Sequence, residues 1–342
     1  MIAQPIAIKS TGLVTSVGMS APASCAAIRA KISNPTETRF IGSDGEWIMA
    51  HQVPLEQPWR GRTKLAKMAA MAIAECLDLI PRESWPTIPL LLCVAERERP
   101  GRLDGLDNQL LLDIESEFGM RFAVGSAVIP HGRVSATMAL AEARKLIYSD
   151  KVPQVVITAS DSLLTWPTLS VYDRAGRLLT PTNSNGFMPG EAGAALLVGR
   201  PGDTTEVRCT GIGFGREQTN IDSDRPLRAD GLAAAIRAAL SEAGCGMHHL
   251  DYRITDLSGE QYYFKEASLA VSRILRKRRP CLDLWHPAES IGEAGAAVGL
   301  VIAATASAAW QKAYSVGPDI LVHMGNDGGQ RAAAILRCSG HG

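Results

Sequence analysis

The chain has 342 residues, with 35 Lys and Arg against 35 Asp and Glu, 46% hydrophobic residues and 5% aromatic ones. Zero formal charge lacks the basic excess that general nucleic-acid or membrane-surface binders carry, and no apolar run reaches the roughly 18 residues that span a bilayer. The apolar fraction is that of an ordered globular chain, long enough for two domains of about 150–200 residues or one large unit.

Met1 to Lys9 lacks a basic stretch followed by an apolar run, so no signal peptide is expected. Ile8-Lys-Ser-Thr-Gly-Leu-Val-Thr-Ser-Val-Gly18 reads as a strand ending in a glycine turn. An Ala-rich helix follows at Thr63 to Leu79. The runs Pro89 to Ala95 and Gln154 to Ala159 are apolar throughout, as in strands covered by helices on both sides. Between them, Arg121 to Ile147 holds a strand, a turn at Pro130-His-Gly-Arg133 and a small-residue helix. The same order then returns. Val207 to Gly215 is a second opening strand, Gly231 to Ala243 a second Ala-rich helix, and Pro280 to Trp310 a second strand, turn and helix. Pro-led strands close the two copies at Pro153 and Pro318. The pattern predicts an α/β protein of two duplicated halves, residues 1–200 and 201–342, joined at the turn-rich Arg200-Pro-Gly-Asp203.

Four stretches together resemble the thiolase fold, and within it the β-ketoacyl synthases. Ile8 to Gly18 is similar to the family's Thr-Gly-Leu-Gly-x-Val-Thr-Pro-x-Gly opening, and Asn185-Gly-Phe-Met-Pro-Gly-Glu-Ala-Gly to its Asp-Gly-Phe-Val-x-Gly-Glu-Gly-Ala-Gly segment. Ile291-Gly-Glu-Ala-Gly-Ala-Ala297 resembles the Gly-His-x-x-Gly-Ala-Ala helix start, and Met324-Gly-Asn-Asp-Gly-Gly329 the C-terminal Gly-Phe-Gly-Gly loop. The resemblance implies a five-layer αβαβα sandwich. It also implies a homodimer, expected to form through an edge strand near Gln154 to Thr158.

The family's chemistry uses a Cys at a helix N-terminus with two His, and none of the three is found here. Counting back from the helix at Ser135, the Cys position falls on Arg133, and a slip in register offers only His131, Gly132 or Val134. A guanidinium stays protonated and cannot attack a thioester. The first His position falls on Asp256 and the second on Glu293, while Pro287-Ala-Glu-Ser290 stands where the family has a Lys. Two carboxylates facing a guanidinium predict a charge-assisted plug in place of the acyl site; the alternative is three separately solvated loop charges. In the pocket loop, Asn326, Asp327, Gly328 and Gly329 replace a Phe-bearing segment, which suits a site holding no acyl chain.

The seven cysteines (25, 76, 93, 209, 245, 281, 338) form no CxxC pair and read as buried hydrophobes of a reduced, cytoplasmic protein. Cys245 alone lies in a loop, beside His248 and His249, which as strand neighbours would point apart and chelate poorly. No metal or other cofactor is expected. Ser126 and Ser162 lack a nucleophile elbow, and Gly211-Ile-Gly-Phe-Gly215 lacks a dinucleotide fingerprint. The basic run Arg273, Arg276, Lys277, Arg278 and Arg279 is either a solvated helix end or a docking site for an acidic partner. Gln261-Tyr-Tyr-Phe264 is either an exposed aromatic site or core.

The resemblance thus implies a β-ketoacyl-synthase-like protein without its triad, an accessory module rather than an enzyme. It is similar to thiolase-like accessory proteins of type VI secretion loci, where the partner would be an effector or adaptor. The alternatives are an inactive chain-length partner of a condensing synthase working with an acyl carrier protein, or an acyl-transferring or decarboxylating enzyme of the 3-oxoacyl-ACP synthase type.

Overall fold

The computed structural model describes residues 4–202, 206–277, 279 and 282–339. In chain order, β1 (Ile6–Val14) leads through α1 (Ala21–Arg29) to a hairpin of β2 (Thr36–Ile41) and β3 (Trp47–Ala50). Then come α2 (Gly61–Cys76), β4 (Leu90–Cys93), α3 (Gln109–Phe118), β5 (Ala127–Ile129), α4 (Ser135–Tyr148), β6 (Gln154–Ser162), α5 (Trp166–Arg174) and β7 (Glu191–Gly199). The chain continues as β8 (Glu206–Arg216), α6 (Asp230–Glu242), β9 (Tyr252–Thr255), α7 (Gln261–Ile274), β10 (Asp283–Trp285), α8 (Ala288–Ile291), α9 (Val298–Gln311), β11 (Asp319–Gly325) and β12 (Gln330–Ser339).

Apart from the separate β2–β3 pair, the strands form one ladder in the order β10-β9-β11-β12-β8-β1-β7-β6-β4-β5. It is two five-stranded sheets of the same design joined back to back: β1-β7-β6-β4-β5 mirrors β8-β12-β11-β9-β10. In each, three parallel strands are flanked by an antiparallel pair. The join is short, Ile6 to Ile8 of β1 against Val207 to Cys209 of β8. The duplicated architecture expected from the motif order is therefore realised as one continuous sheet folded into two layers.

α4 and α9 touch each other and lie between the two sheet halves, α2 covers β1, β6 and β7 from outside, and α6 covers β8 and β12. This makes five layers. Small residues allow the spacing: a Cβ on Gly12 would lie 2.0 Å from the Ala72 carbonyl oxygen, and one on Gly213 2.0 Å from that of Ala235. The middle layer carries the largest core, with Ala136, Ala139, Ala143, Leu300, Val301 and Ala304 meeting both sheets.

One expectation is corrected. The stretch Gln154 to Thr158 is not an edge: β6 pairs with β4 on one side and β7 on the other. The free edges of the ladder are the three-residue strands β5 and β10. Among the described residues no helix is long and apolar enough to cross a membrane.

Candidate functional site

The site forms where strand ends of both sheet halves meet the starts of α4 and α9. Gly132 to Val134 make a 3-10 turn that hands over to α4, and Gly295 to Ala297 make the matching turn before α9. Arg133 lies in the first turn, and Glu293 two residues before the second. Asp256 follows β9 directly, and Asp327 lies in the loop from β11 to β12.

The structure brings these four side chains together. Arg133 Nη1 is 3.2 Å from Glu293 Oε2, Nη2 is 2.7 Å from Asp327 Oδ1, and Nε is 3.9 Å from Asp256 Oδ2. Arg133 Nη2 also donates to the Tyr263 hydroxyl at 2.9 Å, and the guanidinium lies 4.7 Å from that ring's centroid. The carboxylates have further donors. Gly295 N–H and Ser258 Oγ–H reach Glu293 at 3.0 and 3.1 Å, Gly325 N–H reaches Asp256 at 2.9 Å, and the Tyr263 hydroxyl donates to Asp327. Asn326 instead donates its amide to the His131 carbonyl at 2.7 Å, which ties the pocket loop to the turn carrying Arg133. Gly328 and Gly329 complete that loop, and Gly329 N–H closes it onto the Asn326 carbonyl.

Further charges extend the cluster. Arg177, after α5, grips Glu260 through Nε at 2.7 Å and Nη2 at 2.8 Å, and reaches Asp327 Oδ2 at 2.6 Å. Arg99 bridges Glu96 at 2.7 Å and Asp161 at 2.6 Å, and Asp161 accepts the Ala296 N–H at 2.7 Å. Behind the loop, Arg331 (1% exposed) pairs with Glu266 at 2.8 Å and donates to the Asn326 carbonyl at 2.6 Å.

The electrostatics follow from burial and from these contacts. Burial opposes the Arg133 charge, but Tyr263, Glu293, Asp327 and Asp256 outweigh it and hold the group well above its ordinary value. Burial lifts Glu293 to about 7, with Arg133 opposing and Asp256 adding to the rise. Burial also raises Asp256. Asp327 goes the other way: Arg133 and Arg177 overcome its burial and hold it well below the usual carboxylate range.

The space left is about 20 Å³, lined among others by Arg99, Arg133, Arg177, Glu293 and Asp327. That is room for about one water molecule, far below the roughly 300 Å³ of a small-molecule site. Among the described residues no cysteine lines this space. Burial pushes the thiols of Cys25, Cys76 and Cys338 up to about 12 and that of Cys209 to about 11; Cys93 and Cys245 are raised too. Such thiols are poor nucleophiles. Cys281 lies outside the described residues.

The other candidates resolve as follows. His248 and His249 are not on a strand: they sit in a 3-10 turn, Met247–His249, with ring centroids 4.0 Å apart. No group of three or more potential ligands among the described residues could hold a metal ion. In the basic run, Arg273 pairs with Asp230 at 2.6 Å and Arg279 with Asp251 at 3.5 Å, Arg276 and Lys277 are exposed, and Arg278 lies outside the described residues. Of the aromatic triplet, Tyr263 is buried against Arg133 and Tyr262 donates to the Thr219 carbonyl at 2.6 Å.

Sequence reasoning missed Tyr263, Arg177, Glu260 and the Arg99–Glu96–Asp161 group. The internal repeat could have found two of them. Asp161 ends β6 as Asp327 follows β11, and Glu96 follows β4 as Asp256 follows β9.

Architecture and site define a protein of the thiolase-like ketosynthase fold. Solved structures with this fold include the ishigamide ketosynthase/chain length factor, at TM-score 0.78 and 17% identity, covering 99% of this chain and 100% of that one. A ketosynthase in complex with its chain length factor from Xenorhabdus doucetiae matches at TM-score 0.74 and 14% identity, over 98% of both chains. A type II acyl-carrier protein in complex with its hexaketide-bound ketosynthase matches at 0.79 and 14%, over 98% of this chain and 100% of that one. Among curated proteins, "Putative polyketide beta-ketoacyl synthase 2" of Streptomyces halstedii is 31% identical over 149 residues, 42% of this chain and 36% of the relative. Its namesake from Streptomyces cyaneus is 32% identical over 135 residues, 38% of this chain and 32% of the relative. The chain thus spans about a third of the length of the curated relatives it matches. No family model matches the sequence.

Proposed function

We propose that this protein is a non-condensing member of the ketosynthase architecture, acting as the partner of a condensing ketosynthase that serves an acyl carrier protein. One observation carries the reading: Arg133 stands at the expected thiol position, clamped by Glu293 and Asp327 with Asp256 behind, and the residual space admits no acyl chain. Loss of nucleophile, bases and cavity together removes the means for thioester attack, so a scaffolding role is favoured over acyl transfer or decarboxylation. Neighbours that are ketosynthases complexed with a chain length factor or a carrier protein weight the partner toward an acyl-carrier system. Nothing in the names of these neighbours supports the type VI secretion loading role that the sequence resemblance suggests. The exposed Arg276 and Lys277 suit an acidic carrier.

The test has two arms. Incubation with acyl-CoA and acyl carrier protein, read by intact mass spectrometry, is expected to leave the chain unmodified; a covalent acyl adduct overturns the reading. Co-expression with a Cys-bearing ketosynthase of the same host is expected to give a one-to-one complex by native mass spectrometry. A stable homodimer that ignores that ketosynthase overturns the partner assignment.

A further inference from the structure

A second cavity, of about 210 Å³, opens between the end of α1, the strand β10 with α8, and the tail of α9. It shares no lining residue with the charged site. Trp285 and Tyr314 form one wall, their rings inclined by 24° with centroids 6.3 Å apart, and Ile28 and Leu284 add aliphatic surface. An apolar cavity of about 150 Å³ takes up benzene, so this one fits a body of about eight non-hydrogen atoms.

The polar groups are unevenly matched. The Arg29 guanidinium lies 4.2 Å from the Tyr314 ring centroid and has no carboxylate partner among the described residues. Lys31 and His286 both contact Glu289, at 3.3 and 3.0 Å, so the one acidic group of the lining is already held by two basic ones. The Tyr314 hydroxyl is buried without a hydrogen-bond partner, a rarity that a ligand acceptor would relieve.

We propose that this cavity binds a small monocarboxylate with an aromatic or compact apolar body, its carboxylate at Arg29 and its body against Trp285 and Tyr314. An aromatic wall supplies most of the contact area, and the unmatched guanidinium selects the anion over a neutral isostere. The inference is independent of the partner role.

Titration calorimetry with 3-phenylpropionate and its neutral analogue 3-phenylpropanamide tests it. The acid is expected to bind at one site and the amide about fivefold more weakly, the worth of one solvent-screened ion pair. Arg29→Gln, at an exposed position that leaves the core intact, is expected to cost the acid the same factor without changing the amide. Arg29→Lys is expected to restore binding to within about twofold, and Tyr314→Phe to weaken the acid while leaving thermal stability unchanged. Equal affinity for acid and amide, indifference to Arg29→Gln, or no saturable binding below about 10 mM overturns the proposal.

Discussion

Arg133 Nη1 stands 3.2 Å from Glu293 Oε2, so an ion pair links the starts of α4 and α9, the two helices enclosed between the sheet halves. A cation at a helix N-terminus is opposed by the dipole, by roughly 0.3–1 kcal/mol, and burial opposes it further. Three carboxylates within 4 Å outweigh both effects. The buried charges are therefore held as a set, each balanced by its neighbours rather than by water.

Removing one member of such a set leaves the others buried and uncompensated. Arg133→Met leaves Asp256 and Glu293 without their cation while Asp327 keeps Arg177, and is expected to destabilise the fold by about 3–5 kcal/mol. Asp327→Leu alone is expected to be costly too, because it removes the carboxylate shared by Arg133 and Arg177 and leaves each with its remaining acids only. The double variant is expected to cost clearly less than the sum of the two, since each substitution removes the other's stranded partner. Urea denaturation of the four proteins at one pH reads this coupling; strict additivity contradicts the buried pair.

A cysteine placed at position 133 is not expected to react with thioesters. In Arg133→Cys the sulfur would face three carboxylates, which raise rather than lower a thiol pKa. Acyl-CoA incubation followed by intact mass is expected to show no adduct above the wild-type background. Rapid acylation would mean that the surrounding residues still support thiolate chemistry.

Glu293 gives the fold a pH dependence of defined sign. Its pKa rises from an ordinary 4.5 to about 7 in the folded protein. Between those values the folded state holds a proton that the unfolded chain has released. Stability from this group is therefore full below about pH 4.5 and lost as pH rises through 7, at up to about 1.4 kcal/mol per pH unit. Asp327 has the opposite sign: its lowered value contributes stability above its ordinary pKa, lost on acidification. Between about pH 5 and 6.5 the buried His51 and His323, lowered by burial to about 4 and about 3, give two slopes of the opposite sign, so Glu293→Gln is expected to make stability rise more steeply with pH than it does in the wild type. Thermal melts across that range check this, and an unchanged slope in the variant contradicts the assignment.

The sequence made the strand-end residues legible because each sits in a local motif. Arg133, Asp256 and Glu293 follow or precede short strands and helix starts whose glycines mark the turns. Arg177 and Tyr263 were not legible. Arg177 lies in a loop without periodicity, and Tyr263 lies in an aromatic triplet that reads equally well as surface or core. Their roles arise from contacts with Asp327 across 150 and 64 residues of sequence. The misplaced sheet edge has another cause: it is implied by the family resemblance, while the true edge, β5, is three residues long and too short to show a pattern.

The duplication itself makes the final prediction. Gly132 and Gly295 open the matching turns before α4 and α9, with φ of +56° and +55°. A Cβ on Gly132 would lie 2.0 Å from Glu96 Oε2, and one on Gly295 2.2 Å from Asp161 Oδ2. Both carboxylates are held by the same guanidinium, Arg99, and neither can retreat without breaking that pair. Each alanine therefore meets a left-handed backbone and a fixed carboxylate at once, and each is expected to cost more than the about 1 kcal/mol of backbone strain alone. The two losses should be similar in size, and Arg99→Met should reduce both by freeing the acids to move. Urea midpoints of Gly132→Ala and Gly295→Ala, alone and with Arg99→Met, measure this. A cost confined to one turn would mean that the halves are alike in topology but not in how their helix starts are anchored.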